Sequence, residues 1–405
     1  MSGFKQTEIG LIPEDWEVVR FEKSILRRRI KVGKIKQQEY KKFGKYPVID
    51  QSQNYIAGFC DDDEKVYRGE LPVIIFGDHT RVFKFVNFPF VVGADGVKVL
   101  IPNKEIYDPK FLFYAMLTLN IPSRGYNRHY KLLREKKLLR PPLPEQCKIA
   151  RVLDKIQQAI ELQDRIIEQA KRLKKSLMQK LFTEGLYGEE QKETEIGLIP
   201  KSWEVVRLGD YLELIKNGIT KKQNKEGIGL PVTRIETISE GIIDVTKVGY
   251  INSLTPKEIE KYSLKIGDIL FSHINSEPHL GKSAIYTGNP PTLIHGMNLL
   301  LIRTKKERLD PFFLNNLFNW YRLRGIFIGI ASRAVNQSSI NQGKMKNLLI
   351  PLPSLEEQKQ IAHILSVVDK KIEVEQKRKQ VLKALFKTML HKLMSGEIRL
   401  KEVEI

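Results

Sequence analysis

The stretch "TEIGLIPEDWEVVRF" at residues 7–21 returns as "TEIGLIPKSWEVVRL" at residues 194–208, identical at twelve of fifteen positions and displaced by 187 residues. A period that long points to duplicated domains rather than a solenoid of short units. A second echo supports this: "PLPEQCKIARVLDKI" from Pro142 is answered by "PLPSLEEQKQIAHILSVVDKKI" from Pro351. From Gln146 and Gln358 onward the two copies keep a constant offset of 212, which pairs Ile149 with Ile361, Leu153 with Leu365 and Lys180 with Lys392. The second interior is therefore longer by 25 residues. Between the matched ends the interiors share little beyond "DPKFL" at 108–112 and "DPFFL" at 310–314. The chain reads as module, helix, module, helix, a repeated frame around two divergent interiors.

Each frame runs into a long helical pattern. Residues 146–183 contain neither Pro nor Gly, and apolar residues including Ile149, Leu153, Ile156, Ile160, Ile167, Leu173 and Leu181 fall at helical spacing before Gly185. The second copy repeats this through Ile361, Leu365, Val368, Ile372, Leu382, Leu385 and Leu393 to Gly396. Seven-residue steps from Ile149 pass through Ile156, Gln163, Ala170 and Leu177, and from Ile361 through Val368, Glu375, Leu382 and Met389. Sustained heptads predict a coiled coil, here antiparallel with approximate two-fold symmetry. About 38 residues make a rod of roughly 57 Å. The polar steps Gln163 and Glu375 either form a buried layer that fixes register or face solvent.

Inside the modules, short β-type runs ("YPVID", "PVIIFGD", "FPFVVGADGVKVLIP", "DILFSHI", "SAIYTG", "HGMNLLLIR") lie between Gly, Pro, Asn and Asp, and a helical stretch follows each "DP". The predicted fold class is α+β, with two homologous globular domains at 1–144 and 189–354, a first long spacer helix at 145–188, and a second long spacer helix with a C-terminal tail at 355–405. Trp16 and Trp203 are expected as core anchors.

Lys and Arg number 68 against 48 Asp and Glu, a net charge of +20 that favours a polyanion partner, above all nucleic acid. No apolar run approaches the ~20 residues of a spanning helix. Cys60 and Cys147 are the only cysteines, which excludes a disulfide framework or a cysteine-built zinc site and suits a reducing cytoplasm.

Fragments that imitate catalytic motifs fail on physical grounds. "NPPT" at 289–292 has Thr292 where an adenine methyltransferase stacks the flipped base on an aromatic ring. "GKS" at 281–283 has Ser276 where a phosphate-binding loop needs glycine. His273 and His279 have no metal-pair spacing, and "CDDDE" at 60–64 reads as a solvated acidic turn. What recurs instead is basic, polar and aromatic residues in loops. In the first module the candidate DNA-contacting residues are Arg27, Arg28, Arg29, Lys31 and Lys34; Asp78, His79, Thr80 and Arg81; and Arg124, Tyr126, Asn127, Arg128, His129 and Tyr130. In the second they are Lys216, Asn217, Thr220, Lys221 and Lys222; His273, Asn275, His279 and Lys282; and Arg333, Asn336, Gln337, Asn341 and Gln342. Arg and Lys neutralise phosphates, Arg bridges guanine O6 and N7, and Asn or Gln bridges adenine N6 and N7.

The duplicated "IGLIP…WEVVR" frame, "FGDHTRVFKFVNFPFVVGADGVKVL", "GDILFSHINSEPHLGKSAIY" and "SSINQGKMKNLLIPLPSLEEQKQIA" together resemble the specificity subunit of prokaryotic type I restriction-modification systems over essentially the whole chain. The resemblance implies two target-recognition domains, each reading one half of a split double-stranded DNA target. It implies a coiled coil that sets the spacer and docks methyltransferase subunits, two in number, with restriction subunits as a further possible partner. It implies no catalytic residues, cofactor, metal or membrane, and a prokaryotic cytoplasm. The first module departs from the pattern, since "SINQ" is absent before "PPLPEQ". Half-sites ~34 Å or ~10 bp apart would let both modules enter the major groove from one side. On this reading Asn341→Ala relaxes the second half-site, and Lys222→Ala weakens binding to all sequences alike. A basic coiled-coil adaptor and a two-module DNA-binding regulator are the alternatives; a complete methyltransferase or nuclease would need a methyl-donor loop or a metal-binding carboxylate cluster.

Overall fold

The repeated segment folds the same way twice. In the computed structural model, which describes residues 3–28, 33–93, 95–125, 127–239, 241–333 and 337–401, strands Phe4–Thr7 and Gly10–Pro13 form a hairpin, as do Gln191–Thr194 and Gly197–Pro200. Gly10 and Gly197 take φ of 111° and 101°, backbone that favours glycine. Thr7 and Thr194 each donate from the hydroxyl to the carbonyl of that glycine, at 2.8 and 2.7 Å. The "EVVR" that follows pairs antiparallel with the strand just before each long helix: Glu17–Arg20 with Lys137–Arg140, and Glu204–Arg207 with Leu349–Leu352.

The chain divides into two compact units: residues 1–164 with 377–405, and residues 165–376. Unit 1 holds a three-stranded antiparallel sheet ordered Val97–Leu100, Val73–Gly77, Phe83–Val86. Beside it lies a four-stranded mixed sheet, Lys34–Ile35, Val91–Gly93, Tyr46–Ile49, Gly58–Cys60. Unit 2 is built on a four-stranded antiparallel sheet ordered Leu212–Asn217, Leu300–Thr304, Ile269–Phe271, Ser283–Ile285. The "DP" helices form as the sequence predicts, Pro109–Leu117 and Pro311–Leu323. Asp108 and Asp310 cap them by accepting from backbone N–H groups, and a proline fills the first turn, where its missing donor costs nothing. The fold class is α+β.

Two long helices, Leu143–Glu184 and Leu355–Ser395, each contribute to both units. In unit 1 the start of the first runs antiparallel to the end of the second: Glu145 meets Arg399, and Asp164 meets Lys379. In unit 2, Lys174 pairs with Asp369 at 2.6 Å, and the Leu186 N–H reaches Glu357 at 3.0 Å, again in opposite chain directions. The apolar stripes are buried at Ile149, Leu153, Ile160 and Ile167, and at Ile361, Leu365 and Leu393. Each such side chain contributes about 1.5–3 kcal/mol on leaving water. Leu173 and Leu385, expected in the stripes, are exposed instead. The polar heptad steps Gln163 and Glu375 are both buried, which removes the solvent-facing alternative.

Trp16 and Trp203 are fully buried. Trp16 belongs to a core with Phe21, Phe76, Phe111, Ile149 and Leu153; Trp203 to one with Phe182, Phe313, Trp320, Ile361 and Leu365. Each unit thus packs its sheet, its capped helix and its share of the long helices around the tryptophan of its repeated segment.

Candidate nucleic-acid interface

A repeated polar clamp fixes each module to its helix. Trp16 Nε1 donates to Glu145 Oε2 at 3.0 Å, and Trp203 Nε1 donates to Glu357 Oε2 at 3.0 Å. The next residue closes the other side. Gln146 accepts from the Asp108 N–H at 2.9 Å and donates to the carbonyls of Ile106 and Pro141; Gln358 accepts from Asp310 N–H at 2.8 Å and donates to those of Arg308 and Pro353. These buried side chains satisfy otherwise orphaned backbone groups, so the "EQ" of each "PLP…EQ" is retained with the tryptophan it serves. The clamps differ in one respect. Glu145 also receives Arg399, at 2.8 Å from both Nε and Nη2, whereas among the described residues no cation pairs with Glu357.

The modules' variable loops gather at one end of each central sheet. In unit 1, Gly77 lies opposite Val97 and Phe76 opposite Phe83, so turn 78–81 and Gly96 share an end. There Asp78 N–H donates to Gly96 carbonyl at 2.6 Å, and Gln51 holds His79 N–H and Thr80 Oγ1. The second loop joins through Asp78, whose Oδ1 accepts from the N–H groups of His129 and Tyr130 at 2.8 and 2.7 Å. Arg81, at φ 63°, donates to the Ile121 carbonyl at 2.9 Å. Exposed Arg124, Asn127 and Arg128 project from the loop so anchored. A half-buried Lys98, which sequence reasoning missed inside a strand pattern, stands 3.8 Å from Asp78 Oδ2 and over the Tyr130 ring. Gln51 was missed too, since neither carries a local motif.

In unit 2, Asn217, Leu300, Phe271 and Ser283 form one row across the sheet, which brings 218–222, 272–282 and 295–299 to the same end. Strands 274–275, 338–339 and 332–333 then stitch "SHINSEPHLGKS" to "SRAVNQSSINQ", with Ile340 N–H donating to His273 carbonyl at 2.8 Å. Exposed here are Asn217, Thr220, Lys222, His279, Arg333, Gln337 and Asn341; Lys216, Lys221, Asn275, Lys282 and Gln342 are half-buried. Burial pushes the His273 imidazole below its ordinary value and takes neighbouring His295 down to about 4, so both are neutral near pH 7.

Several expected contact residues are committed elsewhere. Asp78 and His129 are buried and spend their polar atoms within the fold. His273 is buried as well. Lys221 is held by Glu258 at 2.7 Å and by the Ser253 carbonyl, and its hydrogen bond brings the Glu258 carboxyl down to about 2. Asn341 Oδ1 caps the short helix Gln342–Lys346 by accepting from Lys344 N–H at 2.8 Å, so one of this oxygen's two lone pairs is spent within the fold. Arg27 is paired with Glu22, Arg28 with Glu70, and Lys34 lies 3.9 Å from Asp95, all exposed. Arg29, Lys31, Tyr126 and Asn336 lie outside the described residues.

Two divergent loop sets on one duplicated frame are what a reader of two DNA segments requires, and the comparisons agree. The family described as "Type I restriction modification DNA specificity domain" matches twice, at residues 13–172 and 200–384. The chain belongs to this family. Among curated members of the type I specificity family, a putative MjaX specificity subunit of Methanocaldococcus jannaschii is 56% identical over 210 residues, a match spanning 52% of this chain and about half, 49%, of that one. The MjaVIII specificity subunit of the same organism is 28% identical across 99% of this chain and 97% of its own length. Among solved structures, the type I S subunit from M. genitalium aligns with TM-score 0.61 at 15% identity, covering 94% and 96% of the two chains. A chain from a structure on complex assembly and conformational transition of the type I R-M system aligns with TM-score 0.55 at 17% identity, covering 96% and 99%. Two specificity domains in one chain make the specificity-subunit reading stand above an adaptor or an independent regulator. Among the described residues, no helix is long and apolar enough to cross a membrane.

Proposed function

We propose that this chain reads DNA for a type I restriction-modification complex in the cytoplasm, with recognition domains at 1–144 and 189–354 that each take one half of a split double-stranded target. The long helices, Leu143–Glu184 and Leu355–Ser395, form an antiparallel coiled coil relating the domains by approximate two-fold symmetry, and they dock two methyltransferase subunits, with restriction subunits as a further partner. The chemistry of cutting and methylation belongs to those partners. One observation carries the reading: the Trp–Glu and Gln clamps are built twice with nearly the same distances, while the loops they support differ in sequence and length. A frame held constant beneath two different loop sets suits one task performed on two sequences.

The exposed cations Lys222 and Arg333 supply phosphate contacts, while Arg124 and Arg128 offer guanidinium groups, and Asn127, Asn217 and Gln337 offer amides, to base edges. Buried Gln163 and Glu375 support a polar layer that fixes helix register. A 42-residue helix measures about 63 Å, enough to separate half-sites ~34 Å apart with the domains' own width included. The test is methylation mapping with the cognate methyltransferase, with and without this chain. A split motif with a fixed gap should appear only in its presence, and one helical turn inserted into both helices should lengthen the gap. Methylation indifferent to the chain would refute the assignment, and an unchanged gap would refute the ruler.

A further inference from the structure

The turn at Asp78 and the loop at 124–129 are joined by an arrangement of hydrogen bonds that selects one tautomer of His129. His129 Nδ1 lies 2.9 Å from the Asp78 carbonyl, which only accepts, so Nδ1 carries the proton. Nε2 lies 3.1 Å from the Arg124 N–H, which only donates, so Nε2 is the bare acceptor. The ring is fully buried. Asp78 Oδ1 meanwhile holds the N–H groups of His129 and Tyr130, and the Asp78 N–H is spent on the Gly96 carbonyl. A chain of hydrogen bonds therefore runs from Gly96 through Asp78 and His129 to the backbone of Arg124. It fixes both ends of the segment bearing exposed Arg124, Asn127 and Arg128. Among the described residues, neither arginine is paired with a carboxylate. Unit 2 holds its corresponding loops by strand pairing at 274–275 and 338–339 instead.

We infer that Asp78 and His129 are positioning residues for sequence choice in the first half-site, and that Arg124, Asn127 and Arg128 are the contacts they position. This rests on the DNA-reading function proposed above. A bidentate base contact depends on side-chain placement to a fraction of an ångström, so a loosened loop keeps its charge and loses its discrimination. The lock acts on selectivity more than on affinity, because phosphate attraction tolerates movement that base-edge hydrogen bonds do not.

The experiment uses the full chain with its cognate methyltransferase subunits on a library of split targets varied in each half. Wild type establishes the motif; if it confers none, the functional reading fails before the lock is tested. Given a motif, Asp78→Ala and His129→Phe should each lower first-half discrimination on the order of tenfold to a hundredfold. Second-half discrimination should stay as in wild type. Asp78→Asn, whose amide oxygen still accepts both N–H groups, should retain most of the first-half choice. A uniform fall in methylation with both halves still discriminated would overturn the inference, since that is what a merely structural pair would give. Should the two disruptive variants fail to fold, Arg124→Ala with Arg128→Ala must produce the same first-half loss; unchanged discrimination in that chain also overturns it.

Discussion

Asn341 illustrates how a residue's chemistry is divided between reading DNA and holding the fold. Its Oδ1 caps Gln342–Lys346 with one lone pair, leaving the amide N–H₂ and the second lone pair for a base. Asn341→Ala should therefore reduce unit 2's unfolding free energy by about 1 kcal/mol, the usual cost of a lost cap, while Asn341→Ser retains most of it. Denaturant unfolding of the two variants checks this, and equal stability of both would return Asn341 to a purely DNA-facing role. The sequence makes Asn341 and Asp78 look alike as ligands because polar residues beside basic ones in a loop carry the same signature whether they face solvent or the backbone. What separates them is nonlocal: Asp78 finds His129 at a separation of 51 residues, and no spacing rule reaches that far.

At the scale of elements, helices and strands were legible because their signals are periodic or local: heptads for the long helices, Asp-Pro for the capped ones, alternation for the strands. The segment after the second helix was not. Residues 397–401 fall in the expected C-terminal tail, yet Arg399 bridges Asp15 and Glu145 and lies over Trp16, while Leu400 is buried and its N–H donates to Glu145. In unit 2 the same service comes from Leu186, directly after the first helix. The tail's attachment is ionic. Burial acts to raise the Asp15 carboxyl, but hydrogen bonds from Arg399 and Lys401 bring it down to about 2; burial is likewise the largest single effect on Glu145, and the hydrogen bonds from Arg399, Trp16 and Leu400 together outweigh it and hold that carboxyl below its ordinary value. Both carboxyls bind protons more weakly folded than unfolded, so their contribution is complete above the unfolded value near ~4 and is lost as pH falls toward 2. Unfolding free energy measured from pH 5 to 2 should drop through that window. In Arg399→Ala the drop should be shallower, because the carboxyls return toward their ordinary values; the same slope in both proteins would refute the assignment.

The whole molecule carries a charge of +20, and its spread over both modules sets how it meets DNA. Lys222, exposed beyond the sheet end of unit 2, should act as a phosphate neutraliser. Lys222→Ala is expected to weaken binding to cognate and random duplexes by a similar factor and to reduce the slope of log affinity against log salt by about 1. A fluorescence titration at several salt concentrations reads both quantities, and a loss confined to the cognate duplex would make Lys222 a base reader. Half-buried Lys221, already neutralised by Glu258, should contribute less to that slope.

The way unit 1 is assembled bears on its birth. It needs residues 377–401 to seat Arg399 against Asp15, 384 positions upstream, whereas unit 2 draws only on 165–376. Translation delivers residues in order, at roughly 5–20 per second. The half whose residues leave the ribosome first must wait, with Trp16 and Glu145 unsealed, until the other half has already been made, so the nascent chain completes its domains in the reverse of the order in which it begins them.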